Sequence, residues 1–347
     1  MTIAVYAGSF DPITNGHIHI IEKACRLFDN VFVLIACSNK KKYTFTEKER
    51  LSMCKDSLDS SGISADVKFC HDRFVAEFAV EELAAQFLVR GIRSVNDFQE
   101  EFDMYHINKK ISSCIETVFL MPDIDLSALR SSIVKGLVGN KSWWWPVRGM
   151  VSDSVLKAFA RKKAELLYQE VNPCPGSFGR LDKIYGANSY HDWIHILNCV
   201  QVARELESSF KSLENAIKAL ILHDAVDLRA NGLDPERDDW WYDANFAELV
   251  RATDHSSELD PSGFSKDARL VHDIDLEVLS WSPDRYQKYT ELVRKEYNNC
   301  SNKEWSAGRS EFLKSMMGRK IIYWTEEFYT KNLKARLNMN WELSQLG

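Results

Sequence analysis

Gly8-Ser-Phe-Asp-Pro-Ile-Thr-Asn-Gly-His17 joins two segments of different period. Before it, residues 3–7 are a short apolar run of strand type. After it, residues 16–28 alternate polar and apolar side chains as a helix does. A strand thus runs through a glycine-bearing loop into a helix. Backbone N–H groups at a helix N-terminus favour an anion. Gly8 and Gly16 are expected to permit tight turns and close backbone approach. His17 stands at the helix start, where it can donate a hydrogen bond to a phosphoryl oxygen.

Outward from this loop, the alternation repeats. Residues 31–37, 65–70, 87–90 and 117–121 read as further strands, and 47–58, 75–85 and 96–111 as the helices between them. Such alternation predicts an α/β, doubly wound parallel sheet that binds its ligands outside the carboxyl ends of the strands. After residue 121 the strand signal stops. Residues 157–171 look helical, and Asn172-Pro-Cys-Pro-Gly-Ser-Phe-Gly179 reads as a breaker. The expected organisation is an α/β domain over 1–163, a linker over 164–182 and an all-α domain over 183–347. In the second domain Ile196, Cys199, Val200, Ala203 and Leu206 recur at helical spacing, and 216–222 reads as a buried helix.

At 347 residues the chain is long enough for two domains. Its 45% hydrophobic and 27% charged residues are globular in composition. No apolar run approaches the ~20 residues that span a bilayer, and no secretory signal is visible at the N-terminus. Eight scattered cysteines with no CxxC pair point to free thiols in a reducing, cytoplasmic setting. Through residue 163 there are 22 Lys and Arg against 20 Asp and Glu, and 22 against 30 thereafter. The first half suits anionic small molecules. The acidic second half argues against a nucleic-acid partner.

Beyond the first loop lie Ser38-Asn-Lys-Lys-Lys-Tyr-Thr-Phe-Thr-Glu-Lys-Glu-Arg50, Leu88-Val-Arg-Gly-Ile-Arg-Ser-Val-Asn-Asp-Phe-Gln-Glu-Glu101, His106-Ile-Asn108 and Val118-Phe-Leu-Met-Pro122. In this order the motifs resemble the phosphopantetheine adenylyltransferase family of the nucleotidyltransferase superfamily, over residues 1 to about 163. The resemblance implies transfer of an adenylyl group from ATP, with Mg2+, to 4′-phosphopantetheine, giving dephospho-coenzyme A and pyrophosphate. It implies catalytic roles for His17, Lys41 and Arg90, with Lys40 and Lys42 flanking the lysine. Gly8, Ser9, Phe10, Gly16, Gly91, Arg93, Glu101, Arg130, Ser131 and Ser132 are implied in substrate and ATP binding. Where the family has a three-serine run, this chain has Arg130-Ser131-Ser132. A homo-oligomer is expected from the same resemblance. The alternatives are transfer to another phosphorylated acceptor, such as nicotinamide mononucleotide, and a nucleotide or coenzyme A sensor without turnover. Trp143-Trp-Trp145 is expected to pack between domains or subunits.

The second half carries a different set. His191 and His195 are four apart, so a helix puts them on one face. His223-Asp224 ends an apolar run, where a charged Asp is costly unless paired or bound to metal. Asp273 and Asp275 follow. Nitrogen and oxygen donors without thiolate suit Mn, Fe, Ni, Zn or Mg. Tyr190-His-Asp-Trp-Ile-His195, Leu220-Ile-Leu-His-Asp-Ala-Val-Asp227 and His272-Asp-Ile-Asp-Leu-Glu-Val-Leu-Ser280 resemble the HD superfamily of metal-dependent phosphohydrolases over 183–347. The resemblance implies His195, His223, Asp224 and Asp275 as ligands, preferred over His191 and Asp273. Asp234-Pro-Glu-Arg-Asp-Asp-Trp-Trp241 and Thr253-Asp-His255 depart from that family's pattern.

Overall fold

The structure, a computed structural model, describes residues 1–171, 175–225, 244–255 and 259–346. The chain divides into two units, Met1–Phe159 and Ala160–Gly347.

The first unit is built on five parallel strands: β1 (Ile3–Gly8), β2 (Asn30–Cys37), β3 (Asp66–His71), β4 (Phe87–Gly91) and β5 (Glu116–Leu120), in the order β3-β2-β1-β4-β5. Helices α1 (Asn15–Leu27), α2 (Glu47–Ser60), α3 (Val75–Leu83) and α4 (Val95–Ile111) connect them. Strands covered on both faces read as continuous apolar runs. In β2, Val33, Leu34 and Ile35 are fully buried. Leu34 joins Val5, Leu88, Cys70, Ala76 and Ala79 in one core cluster beneath α3. The strand order reverses at the β1–β4 pair, so the crevice of this sheet lies at the ends of those two strands, Gly8 and Gly91.

After β5 come α5 (Ser131–Leu137), α6 (Trp144–Arg148) and α7 (Asp153–Val171). Trp143 and Trp144 are buried, and Trp143 meets Phe159 edge-on at 6.4 Å within this first unit. Packing inside the unit, rather than only between domains or subunits, therefore accounts for Trp143. The division at 159/160 falls within α7. The expected linker at 164–182 is largely helical: α7 runs to Val171, and α8 (Pro175–Ala187) begins on a proline. Proline suits the first helical position, where its missing N–H costs nothing, so the residue read as a breaker is a starter. Residues 172–174 lie outside the described residues.

The second unit is helical throughout its described residues. It comprises α8 and α9 (Trp193–Glu205), α10 (Leu213–Leu222), α11 (Ala244–Arg251), α12 (Lys266–Asp275), α13 (Pro283–Glu296), α14 (Asn302–Gly318), α15 (Glu326–Tyr329) and α16 (Asn332–Leu346), with short 3-10 turns. α10 buries Ala216, Ile217 and Ala219 through Leu222, and α9, α10 and α12 pack against one another. Among the described residues no helix is long and apolar enough to cross a membrane.

Helices α13, α14 and α16 share a buried polar knot. Arg309 donates from Nε and Nη2 to the two oxygens of Glu342 (2.7 and 3.1 Å) and from Nη2 to the Tyr289 hydroxyl (3.1 Å). The Tyr286 hydroxyl donates to Glu342. Removing one partner of such a pair strands the other charge, at a cost of about 3–5 kcal/mol, whereas replacing both with apolar groups costs far less. Arg309→Met should therefore destabilise the protein by about 3–5 kcal/mol. Adding Glu342→Leu should recover more than half of that loss in urea unfolding. Additive losses in the double variant would contradict this reading.

Candidate active site and candidate metal centre

The first site is built by the loop after β1. Phe10 has a positive φ of 44° and turns its buried ring under the loop. A Cβ at position 8 would stand 3.2 Å from that ring, so any larger residue there would press on it. Gly16 is less constrained, since a Cβ there makes ordinary contacts. Thr14 caps α1, and its backbone N–H donates to Nδ1 of His17 at 3.0 Å. The Phe10 ring lies edge-on to the imidazole at 5.3 Å. Nδ1 accepts a hydrogen bond, so in the neutral ring the proton sits on Nε2. Burial, with the Arg93 guanidinium nearby, lowers the His17 pKa to about 4. His17 is thus a neutral ring with an Nε2–H donor at physiological pH.

Arg90, on β4, donates through Nε and Nη2 to the carboxylate of Glu101 on α4, and through Nη1 to the Ala7 carbonyl (2.9 Å). Its plane is thereby fixed beside the end of β1. Arg93 donates to the Leu129 carbonyl (2.7 Å), and Arg130 lies 3.4 Å from Asp97. Ser131 donates to the Pro12 carbonyl (2.7 Å), tying the start of α5 to the loop, while Ser132 is exposed. Ser9 lies in the same loop, and its carbonyl accepts from Arg50. Gly91 ends β4, and a Cβ there would stand 3.2 Å from Ile20.

Lys40, Lys41 and Lys42 are exposed on the β2–α2 loop. What holds that loop is Asp11, which sequence reasoning passed over. Its buried carboxylate accepts from the Thr44 and Phe45 N–H groups (3.0 and 2.9 Å) and from Lys135 Nζ (3.0 Å). Burial works against the charge, yet these donors bring the Asp11 pKa below its ordinary value.

The second set converges on one point. Asp192 caps α9, accepting from the N–H groups of Ile194 (2.8 Å) and His195 (3.2 Å), and so starts the helix with His195 turned inward. α10 ends in a 3-10 turn, His223–Ala225, which presents His223 and Asp224 together. Asp275 is the last residue of α12. His195 Nε2 lies 3.3 Å from His223 Nε2, 3.4 Å from Asp224 Oδ2 and 3.2 Å from Asp275 Oδ1. His223 Nε2 lies 3.3 and 3.1 Å from the same two oxygens. His223 Nδ1 donates to the Leu220 carbonyl (2.9 Å), which leaves its Nε2 lone pair facing the cluster. Burial opposes a proton there, but Asp224 and Asp275 raise the His223 pKa to about 10. Among the described residues, Asp224 Oδ2 has no hydrogen-bond partner. These atoms demand a positive charge between them.

The structure separates the residues that sequence spacing left in competition. Asp273 turns away, accepting from the N–H groups of Trp324 and Thr325 (both 2.7 Å) and from His272 Nδ1 (2.9 Å). His191 pairs through Nδ1 with Glu296 (2.6 Å), and burial notwithstanding, that partner with Asp224 and Asp275 raises its pKa to about 9. His255, singled out in the sequence only as a departure, lies with Nε2 2.7 Å from Asp275 Oδ2 and orients that carboxylate. A cavity of about 580 Å3 opens from the cluster, walled by Tyr289, Trp305 and Phe312 and edged by His191. The segment 234–241 lies outside the described residues.

Residues 5–137 match the cytidylyltransferase-like family. The chain is 39% identical over 164 residues to the phosphopantetheine adenylyltransferase of Geotalea daltonii, covering 47% of this chain and 97% of that protein. It is 40% identical over 153 residues to the one from Neisseria meningitidis (44% and 88% covered) and 40% over 141 residues to the one from Borreliella burgdorferi (41% and 86% covered). These relatives align with the N-terminal part of the chain, where the sheet and the His17 loop lie. Through this N-terminal part, the chain belongs to the phosphopantetheine adenylyltransferase family.

Proposed function

We propose that the first unit transfers the adenylyl group of ATP to 4′-phosphopantetheine. An oxygen of the acceptor phosphate attacks the α-phosphorus, the bond to the bridging oxygen breaks, and pyrophosphate leaves, with Mg2+ entering as part of the nucleotide substrate. Little covalent help is needed from the protein; it aligns the phosphates and meets the developing charge. The observation that carries this reading is the fixed tautomer of His17, whose Nε2–H is left for an α-phosphate oxygen. Arg90, held by Glu101 and Ala7, keeps a remaining N–H edge for the acceptor phosphate. Lys41, on the loop that Asp11 anchors, reaches the reacting phosphates, and Ser9, Arg93, Arg130, Ser131 and Ser132 line the nucleotide side.

We further propose that the second unit is an HD-type metal-dependent phosphohydrolase. Ligands about 2.1 Å from one ion stand roughly 3.0–3.4 Å apart, and the donor separations of 3.1 to 3.4 Å fall in that range. His195, His223, Asp224 and Asp275 would hold a divalent cation, with Mn, Fe, Ni, Zn and Mg all compatible with the donors. Bound there, the ion supplies Lewis acidity toward a phosphoryl oxygen. His191, charged on its Glu296 pair, gives the cavity a fixed cation for the same group.

His17→Ala should lower adenylyl transfer about 10²–10³-fold, as loss of one preorganised donor does, with far less effect on ATP binding. An unchanged turnover number in the folded variant would remove His17 from the reaction. The ring itself can be followed by NMR. Its titration midpoint should lie near pH 4, not near the ordinary 6.5. The unfolded chain takes up this proton near 6.5 and the folded one only near 4, so His17 costs stability as pH falls through that window. A midpoint near 6.5 would contradict the buried neutral ring.

His223→Ala combined with Asp224→Ala removes two of the four proposed ligands. Elemental analysis should show the second unit's metal gone and any phosphohydrolase activity with it, while adenylyl transfer continues, because each set of residues is complete within its own unit. Full occupancy in the double variant would refute the ligand assignment.

A further inference from the structure

Outside both sites, the sheet brings a thiol, an imidazole and a carboxylate together. Cys37 ends β2 and His71 ends β3, and the two are direct partners in the parallel register, so their side chains leave the same face side by side. Glu47 is the first residue of α2, which Thr46 caps. One donor atom from each of the three lies within 4.8 Å of the others. Glu47 Oε1 and His71 Nδ1 stand 3.6 Å apart, too far for a hydrogen bond. Both side chains are about half exposed.

We propose that Cys37, Glu47 and His71 form a binding site for a thiophilic divalent cation of the Zn2+ class. Sulfur, nitrogen and oxygen at about 2.0–2.3 Å from one ion lie within about 4 Å of one another. The exposed Glu47 and His71 need close by only about an ångström to reach that geometry. On binding, the Cys37 thiol gives its proton to solvent and the thiolate takes the metal. Three protein ligands leave a fourth position open.

The site is wired to the phosphate loop through one buried residue. Arg50 donates from Nη2 to Cys37 Sγ (3.4 Å) and from Nη1 to the Ser9 carbonyl (2.7 Å), and its guanidinium lies 4.1 Å from the centre of the Tyr43 ring. A cation on the sulfur repels this guanidinium and strains its hydrogen bond to Cys37. Ser9 then loses a fixed support, so the metal inhibits the first unit. This consequence rests on the adenylyl-transfer reading; the binding itself does not.

The test uses the full chain carrying His223→Ala and Asp224→Ala, titrated with Co2+. A thiolate-to-cobalt charge-transfer band should appear in the near ultraviolet. Cys37→Ser should abolish it. His71→Ala changes an exposed residue, and it should weaken Co2+ binding at least about 100-fold, the upper end of what loss of a mere outer partner costs. A band that survives Cys37→Ser, or an affinity unchanged by His71→Ala, overturns the site. Zn2+ at the concentration that saturates this site should inhibit adenylyl transfer, and His71→Ala should relieve that inhibition. Equal inhibition of both proteins overturns the link through Arg50 while leaving the binding result to stand by itself.

Discussion

The backbone N–H of Thr14 donates to Nδ1 of His17, and this bond decides which edge of the imidazole the crevice meets. With Nδ1 occupied, the neutral ring carries its proton on Nε2. Arg93 nearby and the loss of solvent keep the ring neutral. The rest of the loop serves this placement. Phe10 accepts a left-handed backbone to bring its ring against the imidazole, and Gly8 leaves room for it. Asp11, next in sequence, points the other way and fastens the lysine-bearing loop. The reversal of strand order at β1 and β4 sets this loop opposite Arg90.

The two units hold different charge arrangements. In the first, Arg90 and Arg93 are pinned by the carbonyls of Ala7 and Leu129, Arg90 also pairs with Glu101, and Arg130 faces Asp97. Around His195 the surplus is of lone pairs. Two carboxylates and two imidazole nitrogens face one another at 3.1–3.4 Å. The residues brought together around His17 belong to the first unit, and those around His195 to the second.

Sequence alone gave access to whatever was local. The His17 loop is a contiguous strand–turn–helix, so its elements could be read from period and glycine placement. His195 could be preferred to His191 only through a resemblance; in the structure Asp192 starts the helix with His195 turned inward, and His191 pairs with Glu296. Contacts between residues distant in sequence were illegible. Asp11 with Lys135, Arg50 with Ser9, and His255 with Asp275 join residues whose spacing carries no periodic signal. The break after Val171 was legible from the prolines that follow, but not that Pro175 would start α8. Trp143 found its place against Phe159, a contact that only the return of α7 creates.

The most direct measurement incubates the full chain with Mg2+–ATP and 4′-phosphopantetheine and identifies the products by mass spectrometry, with nicotinamide mononucleotide as a parallel acceptor. The account predicts dephospho-coenzyme A and pyrophosphate in equal amounts, with no adenylylated product from the second acceptor. Adenylylation of nicotinamide mononucleotide in preference, or ATP bound with no pyrophosphate released, would contradict it.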